Sequence, residues 1–152
     1  GDRDAYLARF ESWLAHVHLV KLSARDVEWL YPDLGPEGCA QRLLALGARL
    51  AVVTLGPDGA LALSGAGTAS VTSPPMAVVD TVGAGDTFGA GLLRWLWASD
   101  ALRVDAVAVL TGAGLEEALS FACAAAALQC SRAGAVPPTL AEVDELLAAT
   151  RT

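Results

Sequence analysis

From Val79 to Phe88 the chain reads Val-Asp-Thr-Val-Gly-Ala-Gly-Asp-Thr-Phe, and this junction restricts the fold more than any other stretch. An apolar run is expected to enter as a strand, turn on two glycines and leave as a helix. The helix is legible because Phe88, Leu92, Trp95 and Leu96 recur at i, i+4, i+7 and i+8, with Arg94 off that stripe. The first N–H groups of a helix have no internal acceptor and lie at its positive end, so such a turn is a ready anion site. Gly83 and Gly85 carry no Cβ, which lets an anion approach the amides; at Gly85 a positive φ is expected as well. Asp86 adds a carboxylate at the same place. A carboxylate beside an anion site is useful if it meets a hydroxyl rather than the anion, and that pairing suggests phosphoryl transfer to an alcohol.

The same residues would also suit an ordinary strand-to-helix loop with Asp86 as a capping acid. Two other phosphate motifs are excluded. A dinucleotide fingerprint needs glycine where Phe88 stands. A Walker A loop needs a lysine after its glycines, and the only lysine, Lys21, follows no glycine loop.

The 152 residues amount to one domain with a substantial core. Residues of hydrophobic type make up 54% of them, yet no stretch approaches the roughly 18 apolar residues of a membrane span. Arg94 interrupts Leu92–Trp97, and Ala118–Cys130 contains Ser120 and Gln129. A sheet covered on both faces, or in part a face against a missing partner, accounts for the apolar content, and no membrane partner is expected. A net charge of −7 argues against nucleic acid, which selects a basic face. Cys39, Cys123 and Cys130 lack metal-ligand spacing and read as small, reduced core residues, which suggests a cytoplasmic protein. His16 and His18 make a poor ligand pair and read as structural or surface residues.

Along the chain, Tyr6, Phe10, Trp13 and Leu14 mark a helix over Asp4–Ala15, followed by a strand over His18–Leu22. Pro36 opens a second helix and Gly47 closes it. Leu50–Leu55 is a buried central strand, and Gly56-Pro57-Asp58-Gly59 a tight turn. The turn leads to strands over Ala60–Ser64 and Thr68–Thr72, an antiparallel edge. Asp100 to Gly114 carries no clear pattern. Leu115–Cys130 is a helix apolar all round, Ser131–Pro138 a loop, and Thr139-Leu140-Ala141-Glu142 a capping box for a last helix. This is an α/β layered arrangement.

With these residues in view, the chain resembles the C-terminal half of the ribokinase-like (PfkB) carbohydrate kinases. Asp80 to Phe88 is similar to the second signature of that family, nearly residue for residue. Val20-Lys21-Leu22-Ser23-Ala24-Arg25-Asp26 sits where the family has an N-x-x-E motif after a strand. Thr54 to Gly59 resembles its T-L-G-x-x-G nucleotide loop, and Phe121 to Pro138 its alanine-rich helix and R-x-G-A-x-P loop. The resemblance implies a ribokinase-like fold, mostly parallel with an antiparallel edge and flanked by helices, of which residues 1–152 would be the C-terminal nucleotide-binding and catalytic half.

The implied activity is ATP-dependent phosphorylation of a small sugar, most similar to fructokinases; the alternatives are a ribokinase, a 2-keto-3-deoxygluconate kinase, or a nucleotide-binding module that has lost catalysis. Asp86 would be the base, and the amides of Gly83, Ala84 and Gly85 the anion hole. Ser23, Thr54, Leu55, Gly56, Pro57, Asp58, Gly59, Gly85 and Cys123 would meet the nucleotide, with Mg²⁺ ordered indirectly by Asp26. Carbonyls of Asp80, Val82, Gln129, Arg132 and Gly134 would correspond to potassium ligands found in parts of the family. Ser23 and Asp26 replace the usual asparagine and glutamate, and Pro138 stands where some members place a cation-binding serine. The N-terminal half, with the sugar site and lid, would be a partner missing from this chain, which alone is expected to be inactive; a homodimer is among the assemblies the resemblance allows.

Overall fold

A computed structural model describes residues 2–150. Asp2 accepts the N–H groups of Asp4 and Ala5 and thereby starts α1 (Arg3–Leu14). Strand β1 (Leu19–Ser23) runs straight into α2 (Ala24–Leu30), and α3 (Pro36–Ala45) opens with proline at its first turn. Strand β2 (Leu50–Thr54) meets a 3₁₀ turn, Gly56–Asp58, that returns the chain into β3 (Ala60–Ser64) and β4 (Thr68–Val71). The remaining elements are α4 (Ala84–Ala98), α5 (Val104–Ala108), α6 (Gly112–Cys130) and α7 (Leu140–Thr150). Among these described residues no helix is long and apolar enough to cross a membrane.

The sheet order is β1-β2-β3-β4. β1 and β2 are parallel, with Ser23 opposite Thr54 at their C-terminal ends; β2–β3 and β3–β4 are antiparallel. Among the described residues the parallel pairing is confined to β1–β2, because the two later connections are too short for anything but antiparallel neighbours. The first four residues of β2 are buried, as a run with no polar face requires. Leu50 and Val52 pack with Phe88, Leu92, Leu96, Leu115 and Leu119 of α4 and α6. Ala51 and Val53 point the other way, to Leu14, Val27, Leu30 and Leu43 of α1, α2 and α3. The result is an α/β/α sandwich.

One expectation needs correction. Residues 72–80 form no strand: Pro74 and Pro75 have no N–H for a ladder, and the N–H groups of Val79 and Asp80 go instead to the Cys130 carbonyl at 2.8 and 3.1 Å. The helix expected over Asp4–Ala15 is present as α1, and of its residues only Leu14 is fully covered. Tyr6 and Trp13 are exposed, and Tyr6 meets Trp29 edge-on with ring centroids 5.0 Å apart.

Gly91 lets α4 lie close against α6: a Cβ there would come within 3.1 Å of the Ala122 Cα. Gly83 beside Ala135 at one end, and Gly114 beside Trp95 at the other, show that the two helices run antiparallel. Gly91→Val is therefore expected to destabilise by about 1–3 kcal/mol through overpacking. Gly89→Ala, whose Cβ would meet nothing within 4 Å, should instead stabilise by up to ~1 kcal/mol through helix propensity. Urea-denaturation midpoints check both signs.

Candidate active site

The C-terminal ends of the two parallel strands open onto a groove of about 960 Å³. Open α/β sheets place their ligands at such strand ends. Lys21, Ser23 and Arg25 line one wall, and Thr54, Leu55, Gly56, Pro57 and Gly59 the next. Pro74, Pro75, Met76 and Val78, then Ala84, Gly85 and Phe88, then Cys123, Ala126, Ala127 and Cys130 complete it. Among the described residues no aspartate or glutamate lines the groove, although the chain carries a net charge of −7, and the ionic groups that do line it are the cations Lys21 and Arg25. The groove is thus lined by two cations and by largely apolar surface, a combination suited to an anionic ligand with an apolar part.

At the groove edge α4 begins on Gly83, whose φ of 79° is left-handed. The positive φ expected at Gly85 thus falls two residues earlier, where it turns the chain into the helix. The Ala84 N–H is engaged by the Thr81 carbonyl at 3.2 Å, which corrects the expectation that it is free. The N–H groups of Gly83, Gly85 and Asp86 have no acceptor among the described residues, and no side chain caps this helix. Lys21, which the sequence motifs passed over, reaches this point. A Cβ on Gly85 would sit 3.3 Å from its Nζ, so the ammonium lies against the open helix start. Asp86 is exposed in the first turn of α4, just outside the groove lining.

The other expected residues divide. Ser23, Thr54, Leu55, Gly56, Pro57, Gly59, Gly85 and Cys123 share the groove; Asp58, Asp26 and Asp86 do not line it. Asp26 closes a capping box at the start of α2: its Oδ2 accepts the Ser23 N–H at 2.7 Å and the Ser23 O–H at 2.6 Å, while the Asp26 N–H donates to Ser23 Oγ. The hydroxyl bond from Ser23 leads in holding this carboxyl below its usual range. Burial pushes the Cys123 thiol up to about 12, so it stays protonated and offers the groove an apolar surface.

Asp80 joins the anion turn to the loop after α6. Its Oδ1 accepts the Val82 N–H at 3.0 Å and its Oδ2 the Gly134 N–H at 2.9 Å, and these two bonds hold its carboxyl below the usual range. The carbonyls of Asp80, Val82, Gln129, Arg132 and Gly134 lie in these two connected segments.

A family model described as pfkB family carbohydrate kinase matches residues 2–142. The chain belongs to this family. A fructokinase from Rhizobium leguminosarum bv. trifolii is 37% identical over 109 residues, covering 72% of this chain and 33% of the relative. The solved aminoimidazole riboside kinase from Salmonella enterica, in complex with aminoimidazole riboside and an ATP analog, superposes with a TM-score of 0.79 at 29% identity over 97% of this chain and 48% of its own. Fructokinase with bound ATP from Xylella fastidiosa gives a TM-score of 0.83 at 25% identity over 96% of this chain and 47% of its own. The chain thus spans about half or less of the pfkB-family proteins it matches.

The lowered Asp80 carboxyl carries a pH dependence. Its two bonds contribute in full above the unfolded value of about 3.9 and are lost as pH falls toward the folded one. Asp80→Asn leaves a single acceptor oxygen for two donors. We expect faster amide exchange at Val82 or Gly134 in the variant at neutral pH. The variant should also lose less stability than wild type as pH drops below about 4.

Proposed function

We propose that this chain carries the phosphate-handling half of an ATP-dependent sugar kinase whose acceptor is fructose-like. What carries the reading is the start of α4: unpaired amides, the Lys21 ammonium and the Asp86 carboxylate converge within one helical turn at the mouth of a positive groove. The γ-phosphoryl group lies over the Gly83 and Gly85 amides, with Lys21 facing its oxygens. Asp86, just outside the groove, accepts the proton of the sugar hydroxyl. Phosphoryl transfer through a loose transition state asks for alignment more than for basic strength, so an exposed carboxylate held by a helix is adequate. The adenine lies along the apolar side, between the Thr54–Gly59 turn and Cys123, Ala126 and Ala127. Thr54, Leu55, Gly56, Pro57, Asp58 and Gly59 shape that turn, with Asp58 at its exposed tip.

Magnesium, bound with the nucleotide, would neutralise charge on the phosphates. Among the described residues no three acids, histidines or cysteines form a metal cage. That suits a hydrated ion held mainly by phosphate oxygens. Asp26 has Oδ1 left over from its capping bonds and would meet the ion through water. The groups that grip the sugar and exclude solvent are assigned to the length of the family that this chain does not cover. The Ser23/Asp26 pair and the likeness to fructokinases favour fructose over ribose as acceptor.

Asp86→Asn in the full-length protein tests the assignment. Coupled ADP release with fructose should fall by at least about 100-fold in kcat, because a positioned base contributes on the order of 10²–10⁴. ATP affinity should remain within a few-fold. A variant retaining more than about a tenth of wild-type kcat would show that Asp86 is not the base.

A further inference from the structure

The five carbonyls that the family resemblance would give to a potassium ion do not fit one. Gly134 O accepts the Gln129 Nε2 at 2.6 Å and the Val136 N–H at 3.0 Å, which uses both its lone pairs. Val82 O accepts the same Nε2 at 3.2 Å. Gln129 O accepts the Arg132 N–H at 3.2 Å at the end of α6. Three of the five oxygens are thereby turned to N–H donors, and position 138 is a proline with no hydroxyl to offer.

We infer that the Gln129 side-chain amide takes the place of the monovalent cation, so that the anion turn of this chain is organised without potassium. The bonding pattern closes on just two residues. Val82 and Gly134 each give their N–H to the Asp80 carboxylate and each receive, at their C=O, the Gln129 amide. Turn and loop are thus tied by a neutral donor and an anionic acceptor, both supplied by the chain. Gln129 is 1% exposed, so water does not compete for these bonds. Its orientation follows from electrostatics: a reversed amide would set Oε1 against two carbonyl oxygens. As it stands, Oε1 has no donor among the described residues, an uncompensated cost that the fold accepts in holding Nε2 between the two carbonyls. The turn so fixed is the one that begins α4, with Gly83 packed towards Ala135.

The test uses the full-length protein in potassium chloride and in tetramethylammonium chloride at equal ionic strength. Wild type should show the same Tm in both salts and a fructose-dependent rate that differs by less than about two-fold, since an ion that does not bind the native state cannot stabilise it. Gln129→Ala removes the amide and leaves the carbonyls facing a space, so that variant should gain potassium-dependent stabilisation. Gln129→Glu, which keeps the length but cannot donate when ionised, serves the same purpose if the alanine variant does not fold. A Tm of wild type that rises with potassium, or activation of at least about five-fold by potassium at fixed ionic strength, would overturn the inference. The rate comparison rests on the kinase reading, whereas the melting comparison does not. Absence of turnover in every salt would count against that reading and leave the Tm of wild type to decide the role of Gln129.

Discussion

The close antiparallel packing of α4 on α6 is the constraint from which the site follows. It depends on Gly91, where any side chain would press on the Ala122 backbone, and on the alanines that keep α6 narrow. Because the helices run in opposite directions, the open start of α4 and the closing turn of α6 meet at the same end of the sheet. Asp80 and Gln129 then secure the meeting with four hydrogen bonds to Val82 and Gly134. Unpaired helix-start amides are useful only if they stay where a ligand expects them. Here their position is inherited from buried helix packing rather than from the exposed turn itself.

The second contribution comes from the sheet. β1 and β2 end together at Ser23 and Thr54, and Lys21 projects from β1 to Gly85. With no carboxylate among the described residues of the groove lining, Lys21, Arg25 and the α4 dipole act in the same sense in an otherwise acidic chain. The carboxylates near the site are kept off the groove surface. Asp80 is occupied by two amide donors, Asp26 by Ser23, and Asp86 stands at the rim.

Much of this was legible in the sequence where one local signal dominated. The β2 run, the α4 stripe, the all-round apolar α6 and the Thr139/Glu142 capping box each specify their element, and each is found in place. Helix α2 was missed because seven residues give too short a pattern, and its Ser23/Asp26 box was read first as a substituted family motif, with capping as the alternative. The segment before the glycine turn was misread as a strand because its valines outweighed Pro74 and Pro75 in the pattern. Lys21 and Gln129 could not be found from spacing at all. Each acts by reaching a residue distant in sequence, and only the packing of sheet and helices brings those partners together.

The most direct test is a crystal structure of the full-length protein with a non-hydrolysable ATP analogue, magnesium and fructose. The γ-phosphate should accept hydrogen bonds from the Gly83 and Gly85 amides and from Lys21 Nζ, with one fructose hydroxyl about 3 Å from an Asp86 oxygen. A γ-phosphate seated away from the start of α4, or an Asp86 carboxylate with no sugar hydroxyl in reach, would contradict the account.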